Sequence, residues 1–291
     1  MAITAAMVKE LRERTGLGMM DCKKALTEAG GDMEQAIEDL RKSSALKAAK
    51  KAGRTAAEGL LGMKIVDDGS QGTLVEVNIE TDFAAKNEKF IAFVGEVLEA
   101  ASAAANDDVE ALLAGPLGDV RQTLVQEIGE NITVRRVSSL RGAAGEISGY
   151  LHSDRRKGAL VTVSGGNAEL GRDIAMHITG IDPAPMVIRG SDVPEETVAK
   201  ERAVFEAQAA DSGKPAEIVA KMVEGRVRKF LAEVSLLDQP FVKDPNQKIS
   251  GLLKAAGADC TAFVRYSVGD GIEVEKTDFA SEVAAQIEAS K

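Results

Sequence analysis

Apolar and polar positions alternate along residues 73–83, TLVEVNIETDF, and the alternation stops abruptly at its end. Val75, Val77 and Ile79 take one face and Glu76, Asn78 and Glu80 the other, the period-two signature of a half-buried strand. Helical spacing resumes only after Asn87, with Phe90, Ile91, Val94, Val97, Leu98 and Ala101 on one stripe. Asn87 suits an N-cap, because its side-chain oxygen accepts from an otherwise unpaired backbone N–H. Thr81, Asp82 and Phe83 are therefore expected in a loop fixed at both ends. An acid beside an aromatic on such a loop fits a probe for a partner's pocket. The ordinary alternative is that Asp82 caps a helix and Phe83 plugs the core, where large apolar side chains usually lie.

The remaining pattern predicts an α+β fold. Residues 1–40 carry three short helical stripes. The first holds Ile3, Met7, Val8 and Leu11 and ends at Thr15-Gly16; the second follows Met20-Asp21 and ends at Gly30-Gly31. The third opens on Asp32 with Gln35, a capping-box pattern, and buries Met33, Ala36, Ile37 and Leu40. Between the first two helices, Met19 and Met20 serve either the small core or an adaptable binding surface. Residues 41–56 are basic and alanine-rich and read as a helical linker.

Residues 57–140 read as a first core unit: a hairpin of strands 60–66 and 73–79, the candidate probe loop, a helix over 87–104, another near 119–129, and a strand at 132–137. Residues 141–269 repeat the plan with a hairpin of strands 146–152 and 159–164 and a helix near 168–178. There Gly165-Gly166-Asn167 joins strand to helix, where the first unit has the longer stretch containing Asp82 and Phe83. Within the second unit, amphipathic helices at 195–210 and 215–234 are separated by only Ser212-Gly213-Lys214, which forces an antiparallel hairpin. That hairpin, 195–234, either braces its own body or forms a dimer arm. Residues 239–243 read as loop, 249–256 as a short helix, and 261–268 as a last strand. A C-terminal helical module, 270–291, contains a second Thr-Asp-Phe-Ala run at 277–280.

Composition then removes function classes. A net charge of −10, with aromatics at 3% and no Trp, argues against nucleic acid, which rewards clustered cations and stacking rings. Cys22 and Cys260 give no disulfide framework and suit a reducing compartment. The charged start lacks a signal-peptide core and no 18-residue apolar run exists, so a cytoplasmic address without membrane contact is expected. There is no Gly-rich phosphate loop and no dinucleotide fingerprint. His152 and His177 fall in different elements, with no cysteine at metal-ligand spacing. No catalytic residue, metal or cofactor is expected, and recognition is left as the function. An adapter role resting on residues 1–40 alone, or a hydrolase using Cys22 or Cys260 with a histidine, are the competing classes.

Several runs together resemble one family, bacterial elongation factor Ts: residues 8–26, VKELRERTGLGMMDCKKAL; 77–85, VNIETDFAA; 128–136, IGENITVRR; 174–177, IAMH; 212–230, SGKPAEIVAKMVEGRVRKF; and 239–242, QPFV. The resemblance implies an N-terminal three-helix domain similar to ubiquitin-associated domains, two similar core subdomains, an antiparallel coiled-coil protrusion and a small C-terminal helical module. It implies guanine nucleotide exchange on elongation factor Tu. In the family the Thr-Asp-Phe loop enters the partner near its nucleotide-bound Mg²⁺, a role that carries onto Thr81, Asp82 and Phe83, with Ala84 standing where many relatives have valine. Further partner contacts carry onto Arg12, Met19, Met20 and His152, and onto Phe279 in the tail.

Overall fold

The computed structural model describes residues 2–104, 106–142, 145–210 and 215–273 of the chain. Helices α1 (Ala5–Thr15), α2 (Met19–Glu28) and α3 (Met33–Lys51) pack around Leu11, Leu17, Cys22, Leu26, Ala36 and Leu40. Asp32 accepts from the N–H groups of Glu34 and Gln35 and so starts α3 where the sequence signal put it. Two details differ from expectation. α2 begins at Met19, so both methionines sit on its first turn rather than in the preceding loop. The basic stretch is helical as expected as far as Lys51, but it continues α3 without a break instead of forming a separate linker.

The chain then forms β1 (Glu58–Ile65), β2 (Gln71–Ile79), α4 (Asp82–Ala85), α5 (Glu88–Ala104), α6 (Val109–Leu113), α7 (Pro116–Ile128) and β3 (Ile132–Arg141). The basic half of α3 lies along α7: Arg41 pairs with Asp119, the Ser44 hydroxyl is 2.5 Å from Gln126 Oε1, and Lys51 donates to the Gly129 carbonyl. Arg41 stays largely exposed in this contact, while Ser44 and Ala48 of the same helix are buried.

β2 is the central strand of an antiparallel sheet ordered β1-β2-β3. Its Val75, Val77 and Ile79 join Phe90, Phe93, Val94 and Val97 of α5, and Leu124 and Val125 of α7, in one core. The opposite face of β2 is also buried. Glu76 is fully enclosed; it accepts from Arg136 Nε at 2.6 Å, Arg135 Nη1 at 3.1 Å, Asn78 Nδ2 at 3.1 Å and the Gly269 N–H at 2.9 Å. An alternating strand read as half-exposed is thus covered on both sides, and its acid survives burial by being paired.

The cover comes from a second antiparallel sheet, β4 (Glu146–Leu151), β5 (Lys157–Ser164) and β8 (Asp259–Ser267), in that order, with α8 (Ala168–Gly180) packed against it. Leu61 and Leu74 of the first sheet meet Ile147, Leu160 and Tyr266 of the second in a shared apolar cluster. The Arg136 guanidinium stacks 4.0 Å from the Tyr266 ring centroid, while the Tyr266 hydroxyl is 2.6 Å from Ser138 Oγ.

Between α8 and β8 run α9 (Glu195–Ala210), α10 (Ala216–Val234), the small strands β6 (Pro240–Phe241) and β7 (Asp244–Lys248), and α11 (Ile249–Ala255). α9 and α10 share a small core of their own, Ala209, Val223 and Val227, flanked by Phe205 and Leu231. The residues expected to make their connecting turn, 212–214, and most of the expected C-terminal module, from 274 onward with Phe279, lie outside the described residues. Neither α6 nor the β6–β7 pair carries a periodic apolar signal long enough to read from sequence.

A candidate partner-binding site

The stretch after β2 is a helical turn rather than a loop. Thr81 caps α4, its Oγ1 accepting from the Ala84 N–H at 3.2 Å. The Thr81 N–H and hydroxyl both donate to the Glu130 carboxylate, at 2.9 and 2.8 Å. Next to it, Glu80 accepts from the Asn131 N–H at 2.6 Å, and the Asn131 side chain donates to the Arg54 carbonyl at 2.8 Å. The base of α4 is therefore latched to the entry of β3 and to the segment between α3 and β1. Ala85 and Ala84 turn inward onto the core, and Asn87 Oδ1 takes the Lys89 N–H at 2.9 Å, the cap expected of it at the start of α5.

One consequence decides between the two readings of Phe83. With Ala84 and Ala85 filling the inward positions, the ring points out and is 82% exposed. It is no core plug. Asp82 Oδ2 sits 2.8 Å from Lys86 Nζ, whose ammonium also stands 5.4 Å from the Phe83 ring centroid. The hydrogen bond from Lys86 holds the Asp82 carboxyl below the ordinary aspartate range, so this acid is ionised near neutrality.

His152 lies on the turn between β4 and β5, exposed, with Nδ1 3.0 Å from Asp154 Oδ1. The turn is pinned to β1. Arg155, at φ 57°, donates from Nε to the Leu61 carbonyl at 3.1 Å and accepts the Leu61 N–H at 2.8 Å, while Arg156 pairs with Glu58. The bond to Glu58 raises the Arg156 pKa, and the charges of Asp154 and Asp82 add to it.

Met19 and Met20 are 60% and 77% exposed. Arg12, Met19 and Lys89 line one shallow groove with Gly16, Leu17 and Glu127. Gly16 makes this seat possible: at φ 73° it closes α1, and an added Cβ would meet Glu127 Oε1 at 2.9 Å. Lys89 is one turn beyond Lys86, so the start of α5 separates the Phe83 tip from the methionine tip. The structure thus places Asp82 and Phe83 on the turn after β2, His152 on the β4–β5 turn pinned to β1, and Arg12 and Met19 beside the start of α5. Reading the sequence did not single out Lys86, Glu130 or Asn131. The spacing of Asp82 and Lys86, four residues apart, was the available signal for the first.

The other histidine has a different job. His177 is fully buried; its Nδ1 accepts the Val242 N–H at 3.2 Å and its Nε2–H donates to Gln239 Oε1 at 3.0 Å. Among the described residues no group of three or more His, Cys, Asp or Glu side chains is placed to hold a metal ion, and no helix is long and apolar enough to cross a membrane.

Comparison with known proteins bears on this arrangement. The family model described as Elongation factor TS matches residues 80–270, from the latch of α4 to the end of the second sheet. An elongation factor Ts of Hahella chejuensis is 58% identical over 286 residues, covering 98% of this chain and 99% of the relative. Those of Saccharophagus degradans and Marinobacter nauticus are 54% and 55% identical, covering 100% and 98% of this chain and 100% and 97% of theirs. The mixed helix-and-sheet fold and these matches define the class: an elongation factor of protein biosynthesis. Within that class, the chain belongs to the elongation factor Ts family.

Proposed function

We propose that this chain is a guanine nucleotide exchange factor for elongation factor Tu, and that it promotes GDP release by inserting Phe83, with Asp82, beside the GTPase's Mg²⁺ and nucleotide. Family membership supports the partner and the activity. The observation that carries the mechanism is the exposure of Phe83 on a turn latched from below by Glu130 and Thr81. A large apolar ring held in water by a rigid mount gains on the order of 2–3 kcal/mol when a partner buries it. That is enough to stabilise a displaced arrangement of the partner's Mg²⁺-binding elements, and Mg²⁺ binds poorly once its octahedral shell is disturbed.

Thr81 fixes the turn and Ala84 seats it, so both act by holding Phe83 in place. Arg12, Met19 and Met20 dock the three-helix unit on the GTPase, His152 makes a further contact beside Asp82, and Phe279 of the tail is a weaker candidate contact. The factor performs no chemistry of its own and carries no cofactor. By linkage, GDP weakens binding of the factor as much as the factor weakens binding of GDP.

Release of labelled GDP from elongation factor Tu, followed by stopped flow, tests this reading. Phe83→Ala should slow catalysed release at least tenfold while the free factor loses less than about 1 kcal/mol, far short of the ~3–5 kcal/mol for truncating a core Phe. Normal release by a folded Phe83→Ala protein would overturn it.

A further inference from the structure

We infer that Lys86 is a positioning residue for exchange: its ammonium fixes the Asp82 carboxylate and the Phe83 ring in one arrangement before either meets the GTPase. The inference rests on the reading of Phe83 as the inserted group. It starts from a mechanical problem. α4 is a single turn, and the side chains of Asp82 and Phe83 point away from the core that holds Ala84 and Ala85. With Phe83 almost wholly exposed and the Asp82 side chain half exposed, packing against the body holds their rotamers only loosely. Lys86 is the C-cap of that turn, its backbone N–H donating to the Phe83 carbonyl at 3.1 Å, which sets its side chain one turn after Asp82. From there Nζ reaches Asp82 Oδ2 at 2.8 Å and stands 5.4 Å from the Phe83 ring centroid.

An exposed ion pair or an exposed cation–ring contact is individually weak. Here one ammonium makes both, so a single lysine rotamer selects the acid and the ring together. The order imposed on Phe83 in the free factor need not be imposed during insertion, and preorganisation of this kind is recovered as a faster productive step. Arg156, whose charge also feels Asp82, is committed to Glu58 and does not substitute for it. Lys86 itself is 72% exposed, so its removal opens no cavity and leaves the fold alone.

Since docking is carried by other surfaces, the effect belongs to the step after docking. With the full-length factor and GDP-loaded elongation factor Tu, Lys86→Met should lower the maximal GDP release rate at saturating factor about fivefold. The concentration giving half-maximal release should change less than about twofold, and the melting temperature of the free factor should hold. Lys86→Arg, which keeps both the ion pair and the ring contact, should restore most of the rate. In an Asp82→Ala background the penalty for Lys86→Met should shrink, because the two residues act as one unit. An unchanged maximal rate overturns the inference. So does a change confined to half-saturation, which would make Lys86 a docking contact, or a full penalty persisting without Asp82. Phe83→Ala measured in parallel separates the two levels: if it is slow while Lys86→Met is normal, only the role of Lys86 falls, and if Phe83→Ala is itself normal, the insertion reading falls with it.

Discussion

Phe83 and His177 are two ring side chains held in opposite environments, one in water and one in the core. Phe83 is outside because Ala84 and Ala85 already fill the space beneath the turn. His177 is inside, and its two ring nitrogens are spoken for. A backbone N–H can only donate, so the bond from Val242 makes Nδ1 the acceptor, and the proton sits on Nε2, facing Gln239. Gln239 in turn donates to the carbonyls of Pro183 and Glu233, tying α8, the loop after it and the end of α10 together. Protonating Nδ1 would break this chain of bonds, and burial lowers the pKa of the ring below its ordinary 6.5. A base with a lowered pKa binds fewer protons folded than unfolded, so its contribution to stability is complete above about pH 6.5, begins to fall below that value and is lost as the pH drops through the lower value of the folded protein. The melting temperature should therefore drop between about pH 7 and pH 5 more steeply in the native protein than in His177→Gln. Parallel slopes would show that His177 does not titrate in this window.

At the scale of elements, the α9–α10 hairpin is the part most nearly independent of the rest. Its inner side chains, Val198, Phe205, Val219, Val223, Val227 and Leu231, pack on one another. Its attachment is at the base, where Val234 accepts the Met186 N–H at 2.8 Å and Leu236 donates to Val187. Replacing residues 195–230 by a short glycine linker should leave a folded factor that still stimulates GDP release. Any self-association through the hairpin, measured by analytical ultracentrifugation, should be lost with it. A deletion that fails to fold would make the hairpin part of the main core. α3 is the contrasting case: its basic half reads as a linker in sequence, but Arg41, Ser44 and Lys51 hold it on α7.

Across the whole molecule, the two sheets share the apolar cluster around Leu61, Leu74, Ile147, Leu160 and Tyr266, α3 adds Ala48 to the core of the first sheet, and polar joints reinforce these contacts. Glu76 joins β2 to β3 and to the turn after β8, Arg156 joins the β4–β5 turn to β1, and Lys89 joins α5 to Glu127 beside Gly16. These joints set the spacing between Met19–Met20, Phe83 and His152, and under the proposed function that spacing must match one partner surface. Met19→Ala with Met20→Ala should then weaken binding to elongation factor Tu by about 1–2 kcal/mol, as expected for partly buried anchors, with helical content unchanged. The core of the three-helix unit does not include either residue. Unchanged affinity by titration calorimetry would assign the docking to other side chains.

The sequence by itself determined the elements with a strong period. The β2 alternation, the α5 stripe, the Asp32 and Asn87 caps and the apolar stripe expected over 215–234 all follow from local spacing and capping, which depend on near neighbours only. The runs from 77–85 and 128–136 carried the family resemblance for the same reason, being contiguous. Tertiary structure alone decided burial and partnership. Glu76 reads as solvent-facing until Arg135, Arg136 and Gly269 arrive from far along the chain to pair with it. The basic stretch reads as a tether until α7 supplies its acids and carbonyls. Phe83 reads by spacing as an ordinary core plug with the probe as its rival, because one side chain's exposure depends on what else fills the space beneath it, and no period in the chain encodes that.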